Sequence, residues 1–185
     1  DVKYNPPGNP ELARELADHL KGSASSISHD WGIDHAATIP LAHLFPDAEV
    51  PVVEMSLAID QPPELHYDLG RELSRFRERG ILFIGSGNLI HTFREMAGEW
   101  DARPFQWAMD YDQRQWNAIV KNDHEALVHF ERDLTSARAF QTVEHYLPML
   151  YILGMRTKGD EVRCVHEGFQ HGSISHRSFM VEERA

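Results

Sequence analysis

Leucines recur at helical spacing over residues 10–21 (Leu12, Leu16, Leu20), with Asn9 placed to cap the start and Gly22 to stop the helix. Residues 23–27 read as a short strand or loop, and 31–38 as a loop running into a short helix through Leu41 and Leu44. Phe45-Pro46-Asp47-Ala48 is a turn, and the Val-rich stretch 50–57 predicts a strand. Gln61-Pro62-Pro63-Glu64 opens a helix with the apolar stripe Leu65, Leu69, Leu73 and Phe76. Its arginines (Arg71, Arg75, Arg77, Arg79) gather toward the C-terminal end, where they complement the dipole. The unbroken apolar run 81–84 predicts a strand buried on both faces. Strand, helix and strand in that order make a βαβ unit, with parallel pairing and a right-handed crossover. After an irregular stretch to Trp107, residues 112–130 return to helical spacing with Trp116, Ile119, Leu127 and Phe130 as core positions. A short apolar helix over 144–153 stops at Gly154, and 161–169 and 173–180 read as closing strands, an antiparallel hairpin around Gly172. The fold predicted over residues 1–185 is one α/β domain, with a central mixed, largely parallel sheet flanked by helices.

Composition narrows the function classes. At 42% hydrophobic and 25% charged residues, 185 residues are enough for one domain with a sizeable core. A net charge of −11 argues against nucleic acid and against an anionic membrane surface, since no basic stripe is present to meet phosphates. No apolar run approaches a membrane span, and no signal peptide is visible. The single Cys164 excludes an internal disulfide framework and a cysteine-cluster zinc site, and fits a reducing cytoplasm. The opening Asp1-Val2-Lys3-Tyr4-Asn5-Pro6-Pro7-Gly8-Asn9-Pro10 has no initiator Met and reads as a connecting loop, as in a chain that starts in mid-protein.

Three histidines stand in distinctive settings. His91 closes the segment Gly85-Ser86-Gly87-Asn88-Leu89-Ile90-His91, at the end of the expected buried strand. Open α/β sheets place ligands there, and the two glycines allow a sharp turn or a close approach. The residues leave two readings of His91: a metal ligand or acid–base imidazole, or a capping or buried structural histidine. A dinucleotide site is disfavoured, because the third glycine of that pattern is missing. His145 lies in Glu144-His145-Tyr146-Leu147-Pro148 at the expected helix start, suited to iron or zinc. Glu144 points about 100° away on an ideal helix and is read as a helix-start carboxylate rather than a ligand of the same ion. His35 in Trp31-Gly32-Ile33-Asp34-His35 can orient or deprotonate a hydroxyl, with Asp34 either fixing its tautomer or capping the following helix. His19, His29, His66, His124 and His129 have polar neighbours and read as solvated, whereas His166, His171 and His176 read as edge-strand or loop positions in preference to a metal-binding tract.

Taken in order, Trp31-Gly32-Ile33-Asp34-His35, Phe45-Pro46-Asp47-Ala48-Glu49-Val50-Pro51-Val52-Val53, the glycine segment ending at His91, and Glu144-His145-Tyr146-Leu147-Pro148-Met149-Leu150-Tyr151 resemble the class III extradiol ring-cleavage dioxygenases of the LigB-like superfamily. Within it they are most similar to the DOPA extradiol dioxygenase-like branch. Glu167-Gly168-Phe169 and Gly172-Ser173-Ile174-Ser175 resemble that branch's ending. The resemblance implies a non-haem metal, Fe(II) or Zn(II), that binds a catechol-type substrate beside dioxygen, with cleavage next to the diol. It makes His91 an acid–base group and metal ligand, His145 a metal ligand from the helix, and His35 a catalytic, substrate-facing histidine. Tyr146 and Asn88 are placed along the pocket.

Members of this family carry an upstream segment with two further histidine ligands, one in a Gly-His-Gly-Ser-like loop. Nothing in residues 1–21 matches either. The resemblance therefore implies that the N-terminal third is missing, that the isolated chain is inactive alone, and that its partners include a homo-oligomer or a complementing N-terminal segment. The alternatives from other classes are a non-enzymatic relative that binds protein in the cleft, and a zinc-dependent hydrolase. The substrate is not named by these residues. An acidic chain disfavours anionic substrates in general, although one local arginine such as Arg94 reverses that.

Overall fold

Local capping chemistry sets the first helices. A computed structural model describes residues 4–23 and 25–184, Ser23 by its backbone alone. Asp1, Val2 and Lys3 of the expected opening loop, and Ala24 of the expected strand or loop at 23–27, lie outside the described residues. The chain divides into two compact units, Asp1–Ser56 and Leu57–Ala185.

In the first unit, helix α1 (Pro10–His19) starts where the Asn9 side chain accepts from the Leu12 backbone N–H. Leu16 and Leu20 are buried, and a 3₁₀ turn (Lys21–Ser23) replaces the expected stop at Gly22. Helix α2 (His35–Leu44) is capped by Asp34, whose carboxylate accepts from Ala36 N at 2.7 Å and Ala37 N at 3.1 Å. The Tyr4 hydroxyl donates to Phe45 O, tying the segment before α1 to the end of α2. Ala48 closes the expected turn onto Phe45 O with φ +52°. The strand expected over 50–57 is reduced to a single parallel bridge, Gly8 to Val52.

In the second unit, helix α3 (Pro63–Leu73) packs on helix α7 (Leu147–Gly154). Between them in sequence run α4 (Gln106–Lys121), α5 (His124–Val128) and α6 (Ser136–Ala139). Helix α7 is apolar all round and accordingly central, with Leu147, Leu150 and Leu153 fully buried. Gly70 and Gly154 let the two backbones touch: a Cβ on Gly70 would strike Tyr151 O, and one on Gly154 would strike Tyr67 O. The buried face of α3 is His66, Leu69, Gly70 and Leu73, so His66, expected to be solvated, is 0% exposed. Its Nδ1 pairs with the Tyr151 hydroxyl at 3.1 Å, and burial lowers its pKa.

The predicted largely parallel central sheet is not present among the described residues, whose strands pair antiparallel. β1 (Asp160–His166) pairs with β4 (Ser178–Glu183), and β2 (Phe169–Gln170) with β3 (Ile174–Ser175). The hairpin around Gly172 is found, turning through His171 and Gly172 at positive φ. The run 81–84 forms no ladder, and Leu82 and Ile84 are 64% and 45% exposed. The helix of the expected βαβ unit is therefore present as α3, and its two strands are not. A parallel strand must find distant neighbours, and apolar content alone cannot supply them. No helix among the described residues is long and apolar enough to cross a membrane.

An ion pair fastens the start of β1 to the helices. Arg77, just beyond α3, meets Asp160 with two hydrogen bonds, 2.7 and 3.0 Å, and also donates to Met155 O at the end of α7. The guanidinium, helped by the Thr157 backbone N–H, holds the Asp160 carboxyl down at about 2. This stabilisation is complete above the pKa of an unfolded carboxyl, about 4, and is lost as pH falls from there toward 2. Asp160→Asn is expected to cost roughly 2–3 kcal/mol in urea unfolding at neutral pH and to flatten the loss of stability below about pH 4. Unchanged unfolding midpoints at both pH values would show that the pair does not fasten the ribbon.

Candidate functional site

Gly85 and Gly87 build the site by what they lack. A Cβ on Gly87 would collide with His145 O, and one on Gly85 would lie 2.7 Å from Pro148 O and 2.9 Å from Ile152 Cγ1. Neither glycine has positive φ, so the pattern serves close approach and not a sharp turn. Asn88 N donates to His145 O at 2.9 Å, and His91 N donates to Ala139 O beside a parallel bridge to Phe140. The 85–91 segment is thus pressed along residues 139–148. As a result the His91 and His145 rings stack, centroids 3.7 Å apart and planes 11° from parallel. Phe93 meets the His91 ring edge-on at 4.8 Å.

His145 precedes α7 and is not part of it, because the helix begins at Leu147 with Tyr146 at the cap. This corrects the expectation of a ligand held on the helix: the ring is positioned by backbone hydrogen bonding. Tyr146 does not line a pocket. It is fully buried, and its hydroxyl donates within the core, where Gln115 Oε1 lies at 2.9 Å and Leu127 O at 3.0 Å. Asn88 is partly buried and donates through Nδ2 to Ser175 O at 2.6 Å, joining the glycine segment to β3. Glu144 accepts from the Thr142 hydroxyl at 2.6 Å. That bond, and the nearby His145 and His91 rings, keep the Glu144 carboxyl below its usual range.

Burial lowers the His91 pKa, the neighbouring His145 lowers it further, and Glu144 opposes both. His91 is therefore biased to the neutral form, the form in which an imidazole donates a lone pair. Two imidazoles side by side suit iron or zinc. The in-plane lone pairs of rings this nearly parallel lie in two nearly parallel planes, so they offer two neighbouring donors and not a closed cage. Consistently, no group of three or more His, Cys, Asp or Glu side chains among the described residues is placed to hold a metal ion. The residues present fit part of a metal's shell.

His35 belongs to the first unit, exposed at the first position of α2. Asp34 spends its carboxylate on the cap of α2, and its N–H donates to Glu54 Oε2 at 3.0 Å. Two further histidines were not read from sequence as site residues. His176 follows β3, and burial, with the His166 and His91 imidazoles nearby, lowers its pKa. His166 ends β1 and lines an open cavity with His176. The available signal was their position around Gly172 in a hairpin, which local polarity obscured.

Comparison with known proteins shows the family. Residues 1–182 match the family described as the catalytic LigB subunit of aromatic ring-opening dioxygenase, and the chain belongs to that family. It is 30% identical over 187 residues to 4,5-DOPA dioxygenase extradiol of Escherichia coli (strain K12), covering 98% of this chain and 68% of that protein. It is 29% identical over 181 residues to the protein of that name from Beta vulgaris, covering 96% of this chain and 67% of the relative. The crystal structure of an uncharacterized Escherichia coli K12 protein aligns with a TM-score of 0.85 at 31% identity, covering 97% of this chain and 75% of that one. The chain thus spans about two thirds of the length of the first two relatives.

If the glycines exist for backbone approach, Gly87→Ala must push His145 away. The expected cost is about 1–3 kcal/mol, with loss of the mutual ring-current shifts of the two imidazoles in NMR spectra. Gly98→Ala, where an added Cβ meets nothing within 4 Å, is the control and should leave both unchanged. Equal behaviour of the two variants would contradict the assignment.

Proposed function

We propose that this chain carries the chemistry of a non-haem, metal-dependent extradiol dioxygenase, which opens the aromatic ring of a catechol-type substrate with dioxygen next to the diol. The observation that carries the proposal is the stacked pair His91 and His145 in a member of a ring-opening dioxygenase family. The relatives' names, which specify extradiol dioxygenases, support the reaction type. His91 and His145 hold Fe(II) or Zn(II) as two ligands of its shell, and other donors complete it. When bound, such an ion accepts both diol oxygens and lowers their pKa toward neutrality.

The chain's own residues have separable tasks. His91, biased to the neutral form, keeps its lone pair available for the ion. The backbone hydrogen bond from Asn88 to His145 O keeps the second ring in place while the first works. Phe93, edge-on to His91, limits water at that ring. Dioxygen and the catechol are the small-molecule partners, and the proposed setting is the cytoplasm.

The test is anaerobic titration of Fe(II) and Zn(II) by calorimetry, followed by assay of the Fe(II) form for yellow ring-fission product from catechols. His91→Ala and His145→Ala are each expected to weaken metal binding by tenfold or more. Metal binding indifferent to both substitutions would overturn the proposal and favour a non-enzymatic relative. Ester hydrolysis by the zinc form without catechol turnover would favour a hydrolase.

A further inference from the structure

Two sets of hydrogen bonds hold the His91 segment. One runs to residues 139–148, from His91 N to Ala139 O and from Asn88 N to His145 O. The other runs to β3: Ser175 N donates to Ile90 O at 3.1 Å, and Asn88 Nδ2 donates to Ser175 O at 2.6 Å. Asn88 joins the two sets, with its N–H on the His145 carbonyl and its side-chain amide on Ser175. A displacement of Ser175 therefore reaches both the residue before His91 and the residue bonded to His145.

β3 is too short to fix its own position. It has two residues and pairs with the two-residue β2. A hairpin that small is marginal in water without outside support. The support comes from α4. Ser175 Oγ donates to Asp112 Oδ1 at 2.6 Å, and Arg177 donates to Asp112 Oδ2 from Nε at 2.8 Å and also from Nη2. Arg177 N in turn donates to Ser175 Oγ at 3.3 Å. The Arg177 guanidinium lies over the ring of Trp116, one turn further along α4, at 5.0 Å. The Asp112 and Arg177 side chains are 3% and 4% exposed, and Ser175 is fully buried.

Stability alone does not account for a buried ion pair at this place. Two charges lose their hydration here, and well-packed apolar residues of similar volume often serve a core as well or better. What the pair adds is direction. Charge-assisted hydrogen bonds to both carboxylate oxygens set the position of Ser175 in a way that apolar packing does not.

We infer that Asp112 is a positioning residue for the stacked His91–His145 pair and acts through Ser175. The links are the Asp112 carboxylate to the Ser175 hydroxyl, the Ser175 backbone to Ile90 and Asn88, and the Asn88 N–H to His145 O. Its effect on a bound ion rests on the metal reading above, whereas its effect on the two rings does not.

The test makes three measurements on each variant: zinc affinity by calorimetry, the mutual ring-current shifts of the two imidazoles in NMR spectra of the metal-free protein, and urea unfolding. Asp112→Ala removes the anchor. Ser175→Ala cuts the link to β3 and leaves the Asp112–Arg177 pair in place, so it decides the matter should Asp112→Ala fail to fold. Both variants are expected to bind zinc about tenfold more weakly and to lose part of the ring-current shifts. Asp160→Asn is the control. It lowers stability at the start of β1 and should leave zinc affinity and ring shifts unchanged. If the ring shifts move in Ser175→Ala while zinc affinity is indifferent to His91→Ala and His145→Ala, the positioning role stands and the metal reading falls. If the Asp112 and Ser175 variants lose stability while zinc affinity and ring shifts keep their original values, Asp112 supports only the fold and the inference is refuted. It is refuted too if Asp160→Asn alters both readouts as much as Ser175→Ala does, because they would then merely follow stability.

Discussion

Two missing side chains hold this site together. Where Gly85 and Gly87 pass residues 145–152, the backbones are too close for any Cβ, and the hydrogen bond from Asn88 N to His145 O locks that approach. The stacking of His91 on His145 follows from it, as does the connection of the same segment to β3 through Ser175. The neighbouring α3–α7 contact uses the same device at Gly70 and Gly154. Close backbone contact cannot relax by changing rotamers, so it positions side chains more rigidly than interdigitating leucines would.

The electrostatics follow from that geometry. Burial and mutual repulsion keep the His91 ring toward its neutral form, and the nearby Glu144 carboxylate only partly offsets them. A neutral imidazole is a poor salt-bridge partner and a good metal donor. His176 shares the burial and the proximity to His91. The second unit therefore presents lone pairs and N–H donors on one connected piece of backbone, in a chain whose charge is otherwise acidic.

Much of this was legible in the residues. Asn9 and Asp34 cap the helices that their positions predict, because a cap is decided by the four residues around it. His91 and His145 were singled out, and the structure brings their rings together; their roles as ligands are proposals. Long-range matters were less legible. The run 81–84 reads as a buried strand because apolar content predicts burial, but pairing depends on neighbours far away in sequence. His66 reads as solvated because its flanking residues are polar, although it shares a helical face with Leu69, Gly70 and Leu73. The Gly-x-Gly pattern allows a turn or a close approach, and the position of His145 O decides for the approach. Tyr146 beside a candidate ligand suggests a pocket wall, whereas its hydroxyl is committed to Gln115 and Leu127 in the core.

X-ray absorption at the metal edge of the zinc-loaded protein tests the central claim most directly. Two imidazole ligands from this chain should give their characteristic outer-shell scattering, and that signal should fall by one imidazole in His145→Ala. A spectrum without imidazole scattering, or one unaltered by the substitution, would mean that the stacked rings are packing and do not share an ion.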